Sequence, residues 1–249
     1  MAAALRLNAA SDTELSLNFF GKPFTILQDP SSNDHGLALW DASICLLRYL
    51  EHTPRAAARL KGQPVLELGA GTGLLGIVLA HCLGCAVVLT DLPAVCANLA
   101  ANVAAHPLPP GAPGALAVAP YAWSDVADPG VLALAPPGGF AWVLGTDVAY
   151  SEALNPVLLR SAAAFARAGG GGGSARCGAL FCNELRCALA QDVFDTAARP
   201  LFRVKRVPTA RLHPEWRAHG MLLLELSVKG GGAEGGEGGE GGEGEDAPE

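Results

Sequence analysis

Three short stretches carry the residues best suited to chemistry: PVLELGAGTGLLG at 64–76, LTD at 89–91 and LGTDVAY at 144–150. The first crowds Gly69, Gly71, Gly73 and Gly76 behind an apolar run that holds one acid, Glu67. Glycine at that density lets bare backbone approach a ligand that a side chain would keep away. Asp91 stands at the end of the next apolar run, where a carboxylate can accept charge-assisted hydrogen bonds from ribose hydroxyls. Asp147 and Tyr150, three apart, pair a carboxylate with a phenol at the end of another apolar run.

Three ligand classes compete for such a loop. A triphosphate site of the GxxxxGK[ST] kind needs a lysine, and no lysine lies between Lys61 and Lys205. A dinucleotide is harder to set aside, because Gly71, Gly73 and Gly76 satisfy GxGxxG and Asp91 follows at a suitable distance. That spacing reports a tight strand-to-helix turn and an acid one strand later, which any ribose-bearing ligand could use. Against a dinucleotide stand the extra Gly69, the sixty or so residues ahead of the first strand, and the DVAY stretch.

These residues need elements to hold them, and the hydropathy pattern supplies them. Residues 64–68 read as a buried strand, 72–83 as a helix that Gly84 ends in the left-handed conformation, and 86–90 as a second strand. Asp91 is expected to cap a helix with Pro93 in its first turn, running to about 105. Strands follow at 116–119, 140–145 and 179–182, with helices at 155–167 and 188–198. Segments 202–207 and 221–228 suit an antiparallel pair, and the glycine- and proline-rich stretches 107–114 and 168–175 suit loops. Alternation at this spacing implies right-handed βαβ units in an α/β, doubly wound, mostly parallel sheet. Ligands of such sheets sit beyond the strand carboxyl ends, where the glycine loop, Asp91 and Asp147 all fall.

Here the chain resembles the seven-strand S-adenosylmethionine-dependent methyltransferases. ELGAGTG, LTD and DVAY occur in the order that family shows. The tryptophan-bearing lead-in ALWDASICLLRYLE at 38–51 and YAWSD at 121–125 make it similar to the protein-lysine methyltransferase group called methyltransferase family 16, near its branch acting on valosin-containing protein. The similarity runs from about Gly36 to Lys229. It implies a Rossmann-like class I fold, a seven-stranded sheet with an antiparallel last strand, and S-adenosylmethionine as cofactor.

On this resemblance Trp40, Gly69, Ala70, Gly71, Asp91, Trp123 and Thr146 bind the cofactor. Backbone at residues 69–71 lies against it, Glu67 fixes the loop and meets the ammonium end, Asp91 takes the ribose, Trp123 faces the adenine with the Thr146 backbone nearby, and Trp40 closes over the methionine end. Asp147 and Tyr150 are the catalytic pair. The amine that attacks must be neutral, and stripping a free lysine at pH 7 costs about 4.6 kcal/mol. A carboxylate cannot supply that, since it stabilises the ammonium. Asp147 and Tyr150 are therefore expected to orient the ε-nitrogen while apolar walls and the sulfonium lower its pKa. Methylation of a small molecule or another side chain stays open, as do a nicotinamide oxidoreductase and a non-catalytic binding protein.

Composition bounds the rest. Half of the 249 residues are apolar, ample for one core. The net charge of -7 comes from the end: the seven acids beyond residue 229, taken from 24, leave 17 against 17 Lys plus Arg. A neutral body has no electrostatic footprint for nucleic acid or anionic membrane. The Gly/Glu repeat at 230–249 is expected to be disordered and solubilising. The organisation read is a lead-in at 1–35, a methyltransferase domain at 36–229 and that tail. No signal or transit pattern, no span-length apolar run and seven scattered cysteines point to a reducing, cytoplasmic location. Cys82 and Cys85 form a CxxC without further ligands, and with Cys177, Cys182 and Cys187 they are read as core thiols. The six histidines lack HxH or HxxxH spacing, so no metal is expected. The expected partner is a protein substrate such as a chaperone, an AAA ATPase or a translation factor, met by a monomer.

Overall fold

The computed structural model describes residues 11–168 and 177–229. The tail and most of the loop at 168–175 lie outside those residues. Strands β3 (Pro64–Leu68), β4 (Ala86–Asp91), β5 (Ala115–Pro120), β6 (Trp142–Thr146), β7 (Gly178–Glu184), β8 (Phe202–Arg206) and β9 (Met221–Val228) form one sheet in the order β5-β4-β3-β6-β7-β9-β8. The first five pair in parallel, and β9 runs antiparallel to both β7 and β8. The sheet is the doubly wound, mostly parallel one that the alternation implies, and its last strand is antiparallel.

Two apolar clusters, one on each face, make the core. On one face α1 (Asp41–His52), α2 (Pro54–Leu60) and α3 (Leu74–Leu83) contribute Leu46, Leu60 and Ile77. On the other, α6 (Asn155–Ala168) and α7 (Ala188–Leu201) contribute Leu159, Phe165 and Phe194. Helix α3, LLGIVLAHCL, is apolar on nearly every side because it is buried from Leu74 to Ala80. Gly84 ends it at φ 67, in the left-handed region. On edge strand β8 only Phe202 is buried, while Arg203, Lys205 and Arg206 keep that edge charged.

Several elements differ from the sequence reading. The sixty residues before β3 hold an antiparallel hairpin, β1 (Glu14–Phe19) and β2 (Lys22–Leu27), that packs Phe19, Phe24 and Ile26 into the core. Buried Asn102, on α4 (Pro93–Ala105), ties it to the glycine loop: its amide donates to Leu27 O at 2.8 Å and Thr72 O at 2.9 Å, and its oxygen accepts from Leu27 N. Helix α3 starts at Leu74, because left-handed Gly73 at φ 83 precedes it, and not at Thr72. Asp91 ends β4 and Leu92 takes the cap position of α4, so Asp91 is one residue early to be its cap. A short helix α5 (Pro129–Leu132) was also unread. All seven cysteines are free; Cys85, Cys177 and Cys182 are buried, but Cys187 is exposed at the start of α7 and is no core thiol.

Candidate functional site

The glycine loop is pinned by its own neighbours. Gly69, Gly71 and Gly73 take φ of 68, 57 and 83, a region that L side chains rarely adopt. Ala70 N donates to Thr90 O at 2.9 Å and Gly73 N to Ala70 O at 2.8 Å. Beneath the loop the Glu67 carboxylate, 1% exposed, accepts from Gly76 N at 3.0 Å. Burial pushes its pKa to about 8, against the Gly76 N–H, and the Asp91 charge adds to the rise. A carboxyl so enclosed fixes the loop; its expected meeting with a ligand's ammonium has no open path at the surface.

Asp91 clamps the loop from β4. Its Oδ2 accepts from Gly71 N and its Oδ1 from Leu92 N, each at 2.7 Å. Burial raises its pKa, and these two N–H groups oppose the rise. Each carboxylate oxygen keeps a lone pair for a further donor. Among the described residues Asp91 is in no ion pair.

The glycines let the loop pack closely. A Cβ on Gly69 would lie 2.8 Å from Val148 Cγ1 and 3.3 Å from Trp123 Cζ2. A Cβ on Gly71 would lie 3.2 Å from Gly36 O. The loop therefore meets Trp123 after β5, Val148 after β6, and the turn His35–Leu37 ahead of α1. Trp123 and Gly69, named from sequence for the same ligand, are indeed neighbours. Thr146 is the last residue of β6 and pairs with Cys182.

The carboxyl end of β6 is assembled by side chains. Asp147 sits at φ 57, left-handed and costly for most residues though less so for Asp. It is held there by its N–H to Cys182 O at 2.8 Å and by its Oδ1, which accepts from Glu184 N at 3.3 Å. Buried Asn183 accepts from Val148 N and Ala149 N, and its Nδ2 has no hydrogen-bond partner among the described residues. Asp147 Oδ2 receives Arg186 Nη2 at 2.6 Å, and the same nitrogen reaches Glu184 Oε2 at 2.8 Å. Burial nonetheless raises the Asp147 pKa, with Arg186 opposing.

Trp40 joins this group. The Arg186 guanidinium carbon lies 4.5 Å from the centre of its ring, and its Nε1 donates to His35 O at 2.7 Å. His35 in turn contacts Trp40 and Tyr150, with ring centres 6.1 and 6.4 Å away. Tyr150 is 54% exposed; its partial burial and the charge of Asp91 both raise its pKa. So Trp40, Asp147 and Tyr150 share one end of the crevice, but Asp147 is paired with Arg186 and Tyr150 meets His35. His35, Asn183, Glu184 and Arg186 were not singled out from sequence. For the last three the signal was position: NELR lies at the carboxyl end of β7, next to β6.

A close-packed glycine loop and a carboxylate with spare lone pairs beside it fit a ribose-bearing ligand such as S-adenosylmethionine.

Comparison with known proteins agrees in kind. A sequence-family model described as lysine methyltransferase matches residues 20–167. Protein N-lysine methyltransferase METTL21A of Danio rerio is 40% identical over 123 residues, 49% of this chain and 52% of the relative. The Mus musculus METTL21A is 35% identical over 150 residues, 60% and 64% of the two chains. EEF1A lysine methyltransferase 3 of Mus musculus is 37% identical over 143 residues, 57% and 56%. The matches thus span between half and just under two thirds of these relatives. A solved methyltransferase structure from Pyrococcus furiosus superposes with a TM-score of 0.49 at 13% identity, over 76% of this chain and 83% of that one.

Proposed function

The chain belongs to the lysine methyltransferase family, and from this we propose that it transfers a methyl group from S-adenosylmethionine to the ε-amine of a lysine in a protein substrate. The observation that supports this most is the juxtaposition of the Gly69–Trp123 contact and the Asp91 clamp with Asp147, Tyr150 and Trp40 along one row of strand ends.

In this reading backbone at Gly69, Ala70 and Gly71 and the Thr146 backbone lie against the cofactor, Asp91 takes the ribose hydroxyls, and Trp123 faces the adenine. Glu67 holds the loop from below through Gly76. When bound, the cofactor supplies an electrophilic methyl on a sulfonium. Asp147 accepts a hydrogen bond from the attacking amine and fixes its direction. The Tyr150 hydroxyl, at the exposed rim, aligns the same nitrogen and leaves a path to water for its proton. Trp40 offers an aromatic face to a cation, an attraction of about 0.5 to 2 kcal/mol. Most of the rate enhancement then comes from placement and electrostatics, without a dedicated base.

We place the protein in the cytoplasm as a monomer. All seven cysteines are free, and no helix among the described residues is long and apolar enough to cross a membrane. Because one relative is named for EEF1A, a translation factor leads the substrate classes, ahead of a chaperone or an AAA ATPase. Incubation with labelled S-adenosylmethionine and purified EEF1A, or a cell lysate, followed by peptide mapping tests this. Label on a lysine side chain, lost with Asp147→Ala, is the expected result. Label confined to small molecules or other side chains would replace the lysine reading. A nicotinamide spectral change without label would remove the methyltransferase.

A further inference from the structure

Arg186 has no place in that mechanism, yet it touches three groups of the acceptor end. Resting on the lysine methyltransferase reading, we infer that Arg186 is an internal stand-in for the substrate cation. Its guanidinium occupies the space between Asp147, Glu184 and the face of Trp40 that the target ammonium takes, and it swings out when that lysine enters.

The contacts are those any cation would seek. One nitrogen bonds Asp147 Oδ2 at 2.6 Å and Glu184 Oε2 at 2.8 Å, and the guanidinium carbon stands 4.5 Å from the Trp40 ring centre. A carboxylate and an aromatic face around one positive charge would serve a lysine ammonium as well as an arginine.

The burial is lopsided. The Asp147 and Glu184 side chains are 4% and 9% exposed, whereas Arg186 is 37% exposed. An arginine with that much open surface regains water on leaving. The Asp147 carboxylate, so enclosed, cannot be left bare, so departure of Arg186 demands another cation in its place. A lysine ammonium is drawn to the same Asp147 carboxylate. Like charges then keep both from settling there at once.

Attachment permits the exchange. Arg186 lies between β7 and α7, and its guanidinium makes no other hydrogen bond among the described residues. The backbone beside it is anchored independently by Leu185 N to Gly220 O at 3.0 Å and Gln191 N to Cys187 O at 3.1 Å. The side chain can therefore rotate while Asp147 stays fixed by Cys182 and Glu184.

The test is calorimetric titration of the full chain with n-butylammonium, which has the end of a lysine side chain, in the presence of S-adenosylhomocysteine. Arg186→Ala should bind it about tenfold more tightly than wild type, the gain expected when the open state is populated about one part in ten. Guanidinium should compete for the vacated place in the variant, and adding Asp147→Asn should erase the gain. Arg186→Gln, which keeps the stem, should show the same gain if the alanine variant folds poorly. Equal binding in wild type and both variants, or a gain that survives Asp147→Asn, would overturn the inference. Methyl transfer by the wild type is followed in parallel. Its absence would overturn the functional reading separately, since cation binding is measured without turnover.

Discussion

At the glycine loop the site is held by backbone and two carboxyl groups within one strand–turn–helix unit and its neighbouring strand, whereas at Asp147 it is held by side chains drawn from segments 35–40, 147–150 and 183–186. The first end is stiff: three left-handed glycines, a buried Glu67 and Asp91 on two N–H groups. The second end is exchangeable, because its charges are paired through an arginine open to water. A cofactor common to many reactions suits a rigid seat. An incoming side chain suits a seat already filled by a similar charge.

The largest effect should come from the stiff end. Gly69→Val adds a branched side chain at φ 68 and places its Cβ 2.8 Å from Val148 Cγ1. Backbone strain of about 1–3 kcal/mol before any overlap should weaken S-adenosylhomocysteine binding about 100-fold or more, as read by calorimetry. Wild-type affinity in this variant would mean that the loop does not seat the cofactor.

Next is Asp147→Asn, which breaks the exchangeable end alone. Turnover should fall about 100-fold while cofactor affinity stays within about threefold, because only an interaction with the acceptor is lost. Parallel loss of both would merge the two ends into one pocket.

A smaller effect separates the ends by pH. Glu67 in the fold holds its proton up to about 8, against an ordinary value of 4.5. Between those values the native state binds the extra proton, so stability is full below the lower and falls as pH rises toward the upper. Glu67→Gln keeps an oxygen for Gly76 N and has nothing to ionise. Its Tm should therefore decline less than that of the wild type between about pH 5 and 8, with the gap widest at the alkaline end. Identical slopes would mean that Glu67 is charged in the fold. Smallest of all, Tyr150→Phe keeps the ring against His35 and should lower kcat by about tenfold or less, the share of one positioning hydrogen bond. An unchanged kcat would leave Tyr150 as rim only.

The same contrast explains what could be read from the sequence. ELGAGTG and the acid of LTD lie on consecutive strands, so their meeting follows from chain order and the handedness of βαβ units. Trp40 and Trp123 came into view only through family resemblance. Arg186 and Glu184 meet Asp147 because β7 lies beside β6, a fact of sheet order, and Asn183 anchors the DVAY turn from the same strand end. The hairpin β1–β2 stayed hidden because its strands are short and only Leu15, Phe19, Phe24 and Ile26 in them are buried. Asp91 was misplaced as a helix cap because capping and loop clamping call for the same residue type at nearly the same position.

The most direct measurement is calorimetric titration of the purified protein with S-adenosylhomocysteine and, separately, with NADH. Saturable one-to-one binding of S-adenosylhomocysteine that Asp91→Asn weakens by about tenfold, from loss of a charge-assisted bond of about 1.5–3 kcal/mol, is the result expected. A clear NADH isotherm with no heat from S-adenosylhomocysteine would contradict it.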